Sequence, residues 1–325
     1  MKLLGLSCGR KMGNSEILLK EALMGAEEYG VEVELLRMLD LDIRPCKLCK
    51  RCHAAQNGFD ACVIKDDASF FYNKFMDCDG IIFSVPIYST TPPGYLKLIG
   101  DRVLGIHVDF TALRTQKKGD MDIPFMSEEL KADERALKSR VGAFITTGGA
   151  SSPNWLAFGL PLLYTVTFSA DIQIVDHLEV IKAQPIPQIG MIVLNDAALE
   201  RGRKLGRNVG EAMKKKRDEV EWKGDAFGTC PVCHLDLIKV IGGNVVECPV
   251  CGISGTLRIE KGEIRVNFSD EQQKHSRLKD QGKLDHQIEI HKIMLEQSAR
   301  AHEVPDKVKK YQSYLVPLTP PSQQK

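Results

Sequence analysis

"KLLGLSCGRKMGNSEILLKEAL", residues 2–23, runs an apolar segment into a loop punctuated by Gly and Ser, and then into apolar residues at helical spacing. Strand, loop and helix in that order make the first half of a βαβ unit, whose crossover requires a parallel partner strand. Four further strand-like segments follow, with helix-period sequence between most of them: "VEVELLRML" (31–39), "GIIFSVP" (80–86), "VGAFITTGG" (141–149) and "DIQIVDHLEV" (171–180). The alternation predicts an α/β domain over residues 1–222.

Five parallel strands wound this way suggest a flavodoxin-like doubly wound sheet. Two insertions break the rhythm: a cysteine-rich segment, residues 46–62, and a polar stretch, about 107–140. Loops of that length commonly serve as lids or subunit contacts. The last helix, 196–222, carries "KKKR" (214–217), read as a solvated face. "KGDAFGT" (223–229) reads as a linker to a small four-cysteine β ribbon at 229–268, with short strands "TLRIE" and "EIRVNF" around a Lys-Gly turn. A polar helical tail, 269–325, places Leu284, Ile288 and Leu295 on one stripe that would cover a neighbouring surface.

With 44 basic and 43 acidic residues among 325, the net charge of +1 gives no global field toward nucleic acid or anionic lipid. The N-terminus turns polar too early for a secretory signal, and "WLAFGLPLLYTVTFSA" (155–170) is interrupted by Pro161. That stretch also falls short of the ~20 residues that cross a bilayer. The expected setting is cytoplasmic, where clustered cysteines more often bind metal or do redox work than form disulfides. Eight of the ten cysteines fall into two clusters; Cys8 and Cys78 lie outside them and read as buried apolar thiols.

"SCGRKMGNSE" (7–16) occupies the turn from first strand to first helix, where such a sheet offers backbone N–H groups to an anion. It matches neither the dinucleotide nor the triphosphatase glycine pattern. Ser7, Asn14 and Ser15 can donate to a monophosphate and Arg10 can add charge, the alternative being a polar turn with Ser15 as helix cap. Strands three and four run into "SVPIYSTTPPGYLKLIGDR" (84–102) and "TTGGASSPNW" (146–155) at the same carboxyl edge. Pro86 and Tyr88 offer a wall for a flat ring, and Gly148 with Gly149 permits close backbone approach.

From residue 1 to about 182 the chain resembles the NADPH-dependent FMN reductase group of flavodoxin-like proteins, particularly its iron-sulfur flavoprotein branch. The pieces that carry the resemblance are "GLSCGRKMGNSEILLKEAL", "PCKLCKRC", the pair Asp66 and Asp67, "DGIIFSVPIYSTTPPGYLKLIGDR" and "ITTGGA". It implies that Ser7, Arg10, Gly13, Asn14 and Ser15 hold the phosphate of FMN. It further implies that Pro86, Ile87, Tyr88 and Ser89 line the isoalloxazine and that Thr147, Gly148 and Gly149 border it.

Cys46, Cys49 and Cys52 follow one another at two-residue gaps, with Cys62 after a gap of nine residues. Three thiolates from a compact loop and a fourth from nearby suit a [4Fe-4S] cluster. Zinc and a reactive dithiol are the competing readings, and His53 is an alternative to Cys62 as fourth ligand. Cys230, Cys233, Cys248 and Cys251 form two knuckles on either side of a "GGN" turn, the spacing of a zinc ribbon, with mononuclear iron as the alternative. His234 reads as a surface residue, and the ribbon has too little basic and aromatic character for nucleic acid.

The function expected is an FMN-dependent oxidoreductase that moves electrons between flavin and iron-sulfur cluster, reducing a small-molecule or protein acceptor. NAD(P)H or ferredoxin would be the donor, and Tyr88 and His107 are the weak candidates for proton donation. A dedicated electron carrier and a redox or iron sensor are the alternatives. By the same resemblance a homo-oligomer, dimer or tetramer, is expected, with contacts from the insertion after His107 and from the tail.

Overall fold

Central strands of a parallel sheet are covered on both faces, so they must be apolar along their whole length. Gly80–Pro86 (β3) and Arg140–Thr147 (β4) are buried at every residue and are apolar except at Ser84 and at the ends of β4, Arg140, Thr146 and Thr147. Lys2–Ser7 (β1) is buried after its first residue, whereas Glu32–Arg37 (β2) and Ile172–Val180 (β5) are only partly covered. The order is β2-β1-β3-β4-β5, every neighbouring pair parallel, which makes the two less buried strands the edges. The expected five-stranded flavodoxin-like sheet is therefore present.

This computed structural model describes residues 1–49, 62–104, 133–183, 188–225, 228–312 and 314–315. They group into two compact units, Met1–Lys283 and Leu284–Lys325. In the first, Asn14–Glu27 (α1) and the later helix α5 (Asp196–Ala212) pack on one face of the sheet, over Leu3, Ile82 and Ile145. Ala68–Asp77 (α2), Gly94–Ile99 (α3) and Gly159–Thr167 (α4) cover the other, around Phe83 and Phe144. Cys8 and Cys78 are buried in that second core as expected.

α5 stops ten residues before the expected end at Trp222, because the chain there turns back on the sheet. Arg217, expected on a solvated face, reaches Asp171 at 2.9 Å and Asp280 at 3.4 Å. The segment read as a linker is stitched down as well: the Lys223 N–H donates to the Val175 carbonyl at 2.7 Å, and Asp225 pairs with Arg201 at 2.6 Å.

Beyond it, Lys239–Gly242 (β6), Val245–Cys248 (β7), Ile253–Glu260 (β8) and Glu263–Asn267 (β9) form an antiparallel meander in chain order. Both anticipated turns are there. Gly243 takes φ +55°, and Lys261 and Gly262 take +54° and +81°, the left-handed pair that matches a hairpin's twist. β8 starts three residues earlier than expected because its first half pairs with β7 before its second half meets β9. The ribbon's four cysteines belong to the same core cluster as Phe83, Phe144 and Tyr164 of the parallel sheet and its helix.

Asp270–Lys274 (α6) and the start of Asp280–Ser298 (α7) complete the first unit. The second contains the rest of α7 and Val304–Gln312 (α8). Of the expected stripe, Leu284 is buried whereas Leu295 is exposed, as are Ile290, Ile293 and Met294. Among the described residues no helix is long and apolar enough to cross a membrane.

Candidate functional site

The loop between β1 and α1 carries an unfilled polar demand. Ser7, at the carboxyl end of β1, is wholly buried, and its hydroxyl has no hydrogen-bond partner. A buried hydroxyl left unpaired costs about 1–3 kcal/mol, so a group that supplies the missing partner binds with that gain. α1 begins after Gly13 with no side-chain cap, leaving its first-turn N–H groups to an outside acceptor. Gly9 lies so close to Ser15 that a Cβ there would stand 2.3 Å from the Ser15 hydroxyl oxygen. Arg10 is exposed at the mouth of the loop. The orphan hydroxyl, the uncapped helix and the cation fit a phosphate.

Asn14 does something else in this structure. Its amide N–H donates to the Ala183 carbonyl at 2.8 Å and its carbonyl accepts from the Ile192 N–H at 3.2 Å, so both ends tie distant segments to the loop. Glu16, absent from the candidates drawn from sequence, is buried and holds Arg37 in a two-point pair at 2.6 and 3.0 Å. Burial pushes its carboxyl up, but Arg37 and the Met12 N–H outweigh that and hold it below the usual carboxylate range. The acid thus neutralises Arg37 rather than being available to a ligand. An acidic residue one turn into a helix signals a favourable dipole, but only the fold puts Arg37 opposite.

Two further loops meet at this edge. The Ile87 N–H donates to the Thr147 carbonyl at 2.8 Å, and the Gly148 N–H to Val180 at 2.9 Å, joining β3, β4 and β5 where they end. Tyr88 and Thr91 close a two-residue turn with hydrogen bonds of 2.9 and 3.1 Å. Ser89 and Thr90 at its tip both take left-handed backbone, φ +50° and +71°. That conformation is costly for a β-branched residue, and such strain tends to gather at ligand sites. A Cβ on Gly148 would lie 2.4 Å from Leu156, so the strand-four loop folds tightly back on itself. The Thr146 hydroxyl is a second buried orphan, and Tyr88, Trp155 and Phe158 stand exposed on the two loops. Trp155 closes the loop segment 146–155 but, like Phe158, is not among the site candidates drawn from sequence, because nothing local to the run 155–170 shows which of its apolar residues the fold leaves exposed. His107 lies outside the described residues.

The thiol segment leaves β2 and returns to α2, and its base is clamped. The Asp42 N–H donates to the Asp67 carboxylate at 2.8 Å, while Asp67 returns its own N–H to the Asp42 carbonyl at 2.9 Å. Asp66 accepts from the N–H groups of Arg44 at 2.9 Å and Ala68 at 3.2 Å, and pairs with the buried Arg102. Cys46, Cys49 and Cys62 lie from half-buried to exposed, and Cys52 and His53 lie outside the described residues. The Cys46 sulphur accepts the Leu48 N–H at 3.4 Å, and the Cys62 sulphur accepts from Arg102 at 3.4 Å. Donors aimed at thiol sulphur suit a thiolate-ligated centre.

Cys230, Cys233, Cys248 and Cys251 bring their sulphurs within 4.8 Å of one another, all buried. Cys230 to Cys251 and Cys233 to Cys248 each measure 3.6 Å. A tetrahedron of thiolates about 2.3 Å from one metal has edges near ~3.8 Å, so two of the six edges already match and the rest lie within about 1 Å of that spacing. Without a cation, four buried thiols this close could not all ionise. Each knuckle closes on a left-handed residue directly after its second cysteine, His234 at φ +58° and Gly252 at +73°. His234 is not the surface residue that the sequence suggests: it stacks on Trp222 at 4.1 Å between ring centroids, and Trp222 in turn meets His177 at 4.8 Å. Burial pushes the His177 imidazole down to about 4, keeping it neutral beside the ribbon.

The sequence profile of NADPH-dependent FMN reductase matches residues 1–170. A flavone synthase of Aspergillus candidus is 30% identical over 325 residues, spanning 98% of this chain and 96% of that protein. An iron-sulfur flavoprotein of Methanosarcina thermophila is 31% identical over 151 residues, 46% of this chain and 64% of its own. Among solved structures, a flavone reductase superposes with a TM-score of 0.77 at 26% identity, over 98% of this chain and 100% of that one. The matched region holds the orphan hydroxyl, the uncapped helix and the three converging loops, and the chain belongs to the NADPH-dependent FMN reductase family.

Proposed function

We propose that this flavin-dependent reductase holds FMN at the carboxyl edge of β1, β3 and β4 and exchanges a hydride with a flat conjugated ketone of the flavone kind. The observation that carries the reading is the Ser7 hydroxyl, buried and unpartnered beneath an uncapped helix. Ser7, Gly13, Ser15 and Arg10 would hold the phosphate, and Asn14 would keep the loop in shape. Pro86, Ile87, Tyr88 and Ser89 would line one side of the ring, with Thr147, Gly148 and Gly149 at its border. Bound FMN supplies hydride or single-electron chemistry. Tyr88, Trp155 and Phe158 would stack a planar acceptor and exclude water, as exposed aromatic side chains on a site rim do. The full-length likeness to proteins named for flavones supports that substrate class.

Cys46, Cys49, Cys52 and Cys62 would carry a [4Fe-4S] cluster as the one-electron outlet, supported by the likeness to iron-sulfur flavoproteins and by the donors on two of the sulphurs. The ribbon would hold zinc, with iron as the alternative. A homo-oligomer fits the exposed Ile290, Ile293 and Met294 of the tail.

The test is an anaerobic preparation assayed for flavin, iron, sulfide and zinc per chain, then mixed with NADH or NADPH and a flavone. Bleaching of flavin by the nicotinamide, and its reoxidation by the flavone with a dihydro product, are expected. Ser7→Ala should weaken FMN binding tenfold to a hundredfold, the equivalent of about 1.5–3 kcal/mol for one charge-assisted hydrogen bond. Reduction by ferredoxin alone, with no consumption of the flavone, would instead mark a dedicated carrier. Cluster-dependent binding of another macromolecule would mark a sensor.

A further inference from the structure

Arg102 is among the least exposed large side chains of the chain, although it carries a full charge. It stands in a π-type turn, Gly100–Leu104, directly after α3, and Ile99, Val103 and Leu104 around it are buried. Single π-type turns are uncommon and gather at functional sites. The turn carries the guanidinium to the described ends of the thiol segment, at Arg44, Cys62 and Asp66. There Nη1 donates to the Asp66 carboxylate and to the Arg44 carbonyl at 3.0 Å, while Nη2 points at the Cys62 sulphur, 3.4 Å away.

The clamp does not need that last contact. Asp66 is already engaged by two backbone N–H groups and by Nη1, and Asp67 next to it ties the same two ends of the segment together through the Asp42 N–H. A buried guanidinium also carries a large desolvation cost that an apolar side chain in its place would avoid. What the arginine adds is an N–H donor, fixed by two other bonds, aimed at one particular thiol.

We propose that Arg102 is a positioning residue for the iron-sulfur cluster, fixing Cys62 as the fourth thiolate and raising the cluster's reduction potential through its N–H to that sulphur. The inference rests on the cluster reading given above. Reduction adds one negative charge to the cluster, so a donor and a positive charge at one ligand sulphur stabilise the reduced form more than the oxidised one. It also explains how a cysteine separated from Cys52 by nine residues serves as a ligand: its place is set by a side chain from the turn after α3 rather than by spacing within the loop.

The experiment uses the full chain purified without oxygen. Iron and acid-labile sulfide are counted, and the potential is read by electron paramagnetic resonance during a redox titration. Four irons per chain in the unaltered protein, with Arg102→Gln keeping them at a lower potential and Arg102→Lys falling between, are the expected results. Should Arg102→Gln fail to fold, Cys62→Ser with Arg102 intact decides the matter: loss of one iron and the appearance of a three-iron signal support the assignment. An unaltered potential in a fully loaded Arg102→Gln, or a full cluster with an unchanged signal in Cys62→Ser, overturns this inference and leaves the cluster standing. Absence of iron and sulfide from the unaltered protein overturns the cluster reading and the inference with it.

Discussion

Glu179 sits near the carboxyl end of β5, opposite Thr146 in the parallel register, and its carboxylate has no hydrogen-bond or ion-pair partner among the described residues. Burial pushes its carboxyl up to about 7. The folded chain therefore binds this proton more tightly than the unfolded one does. Its contribution to stability is intact below the unfolded value near 4.5 and is lost as pH rises through about 7. Glu179→Gln should leave the melting temperature nearly unchanged at pH 4 and raise it above that of the parent at pH 8; equal melting at both would place the carboxyl in solvent. Asn14 makes a different point at the same scale. Its residue type suits phosphate, but both ends of its amide are spent on Ala183 and Ile192, more than 160 residues away in sequence, which no local reading could anticipate.

The turn Tyr88–Thr91 is an element whose sequence disagrees with its shape. Two-residue turns of this hand favour Asn-Gly, because both central residues need positive φ. Ser89 and Thr90 occupy those positions instead, at a cost of about 1–2 kcal/mol for each residue. Replacing the pair by Asn-Gly should raise the stability of the apoprotein in denaturant titration by roughly 1–3 kcal/mol. If the turn's strain serves the ring site, the same variant should bind FMN more weakly; a loss of stability would show that the turn is not strained. The ribbon shows the opposite relation between sequence and shape. "GGN" and Lys-Gly announced its turns, and two Cys-x2-Cys pairs announced its knuckles, because turn chemistry and ligand geometry are local.

Across the first unit the ribbon and the parallel sheet behave as one body, since the four cysteines are buried in the core that holds Phe144 and Tyr164. Isolated structural zinc sites contribute about 10 kcal/mol or more, comparable with the whole stability margin of about 5–15 kcal/mol of a domain. Stripping the metal, or Cys248→Ser, should thus lower the melting of sheet and ribbon together in a single transition. A flavin-binding transition that stayed at its original temperature while the ribbon melted would show two independent domains. The sequence by itself determined the strand order's ingredients, the glycine- and serine-punctuated turn between β1 and α1 and both cysteine sets, since period, turn residues and residue spacing act over a few neighbours. Only the tertiary structure decided that Arg102 reaches Cys62, that Asn14 and Glu16 are structural, and that His234 is stacked on Trp222 beside the sheet. Those outcomes depend on which segments meet across a core, and burial couples residues that the chain keeps far apart.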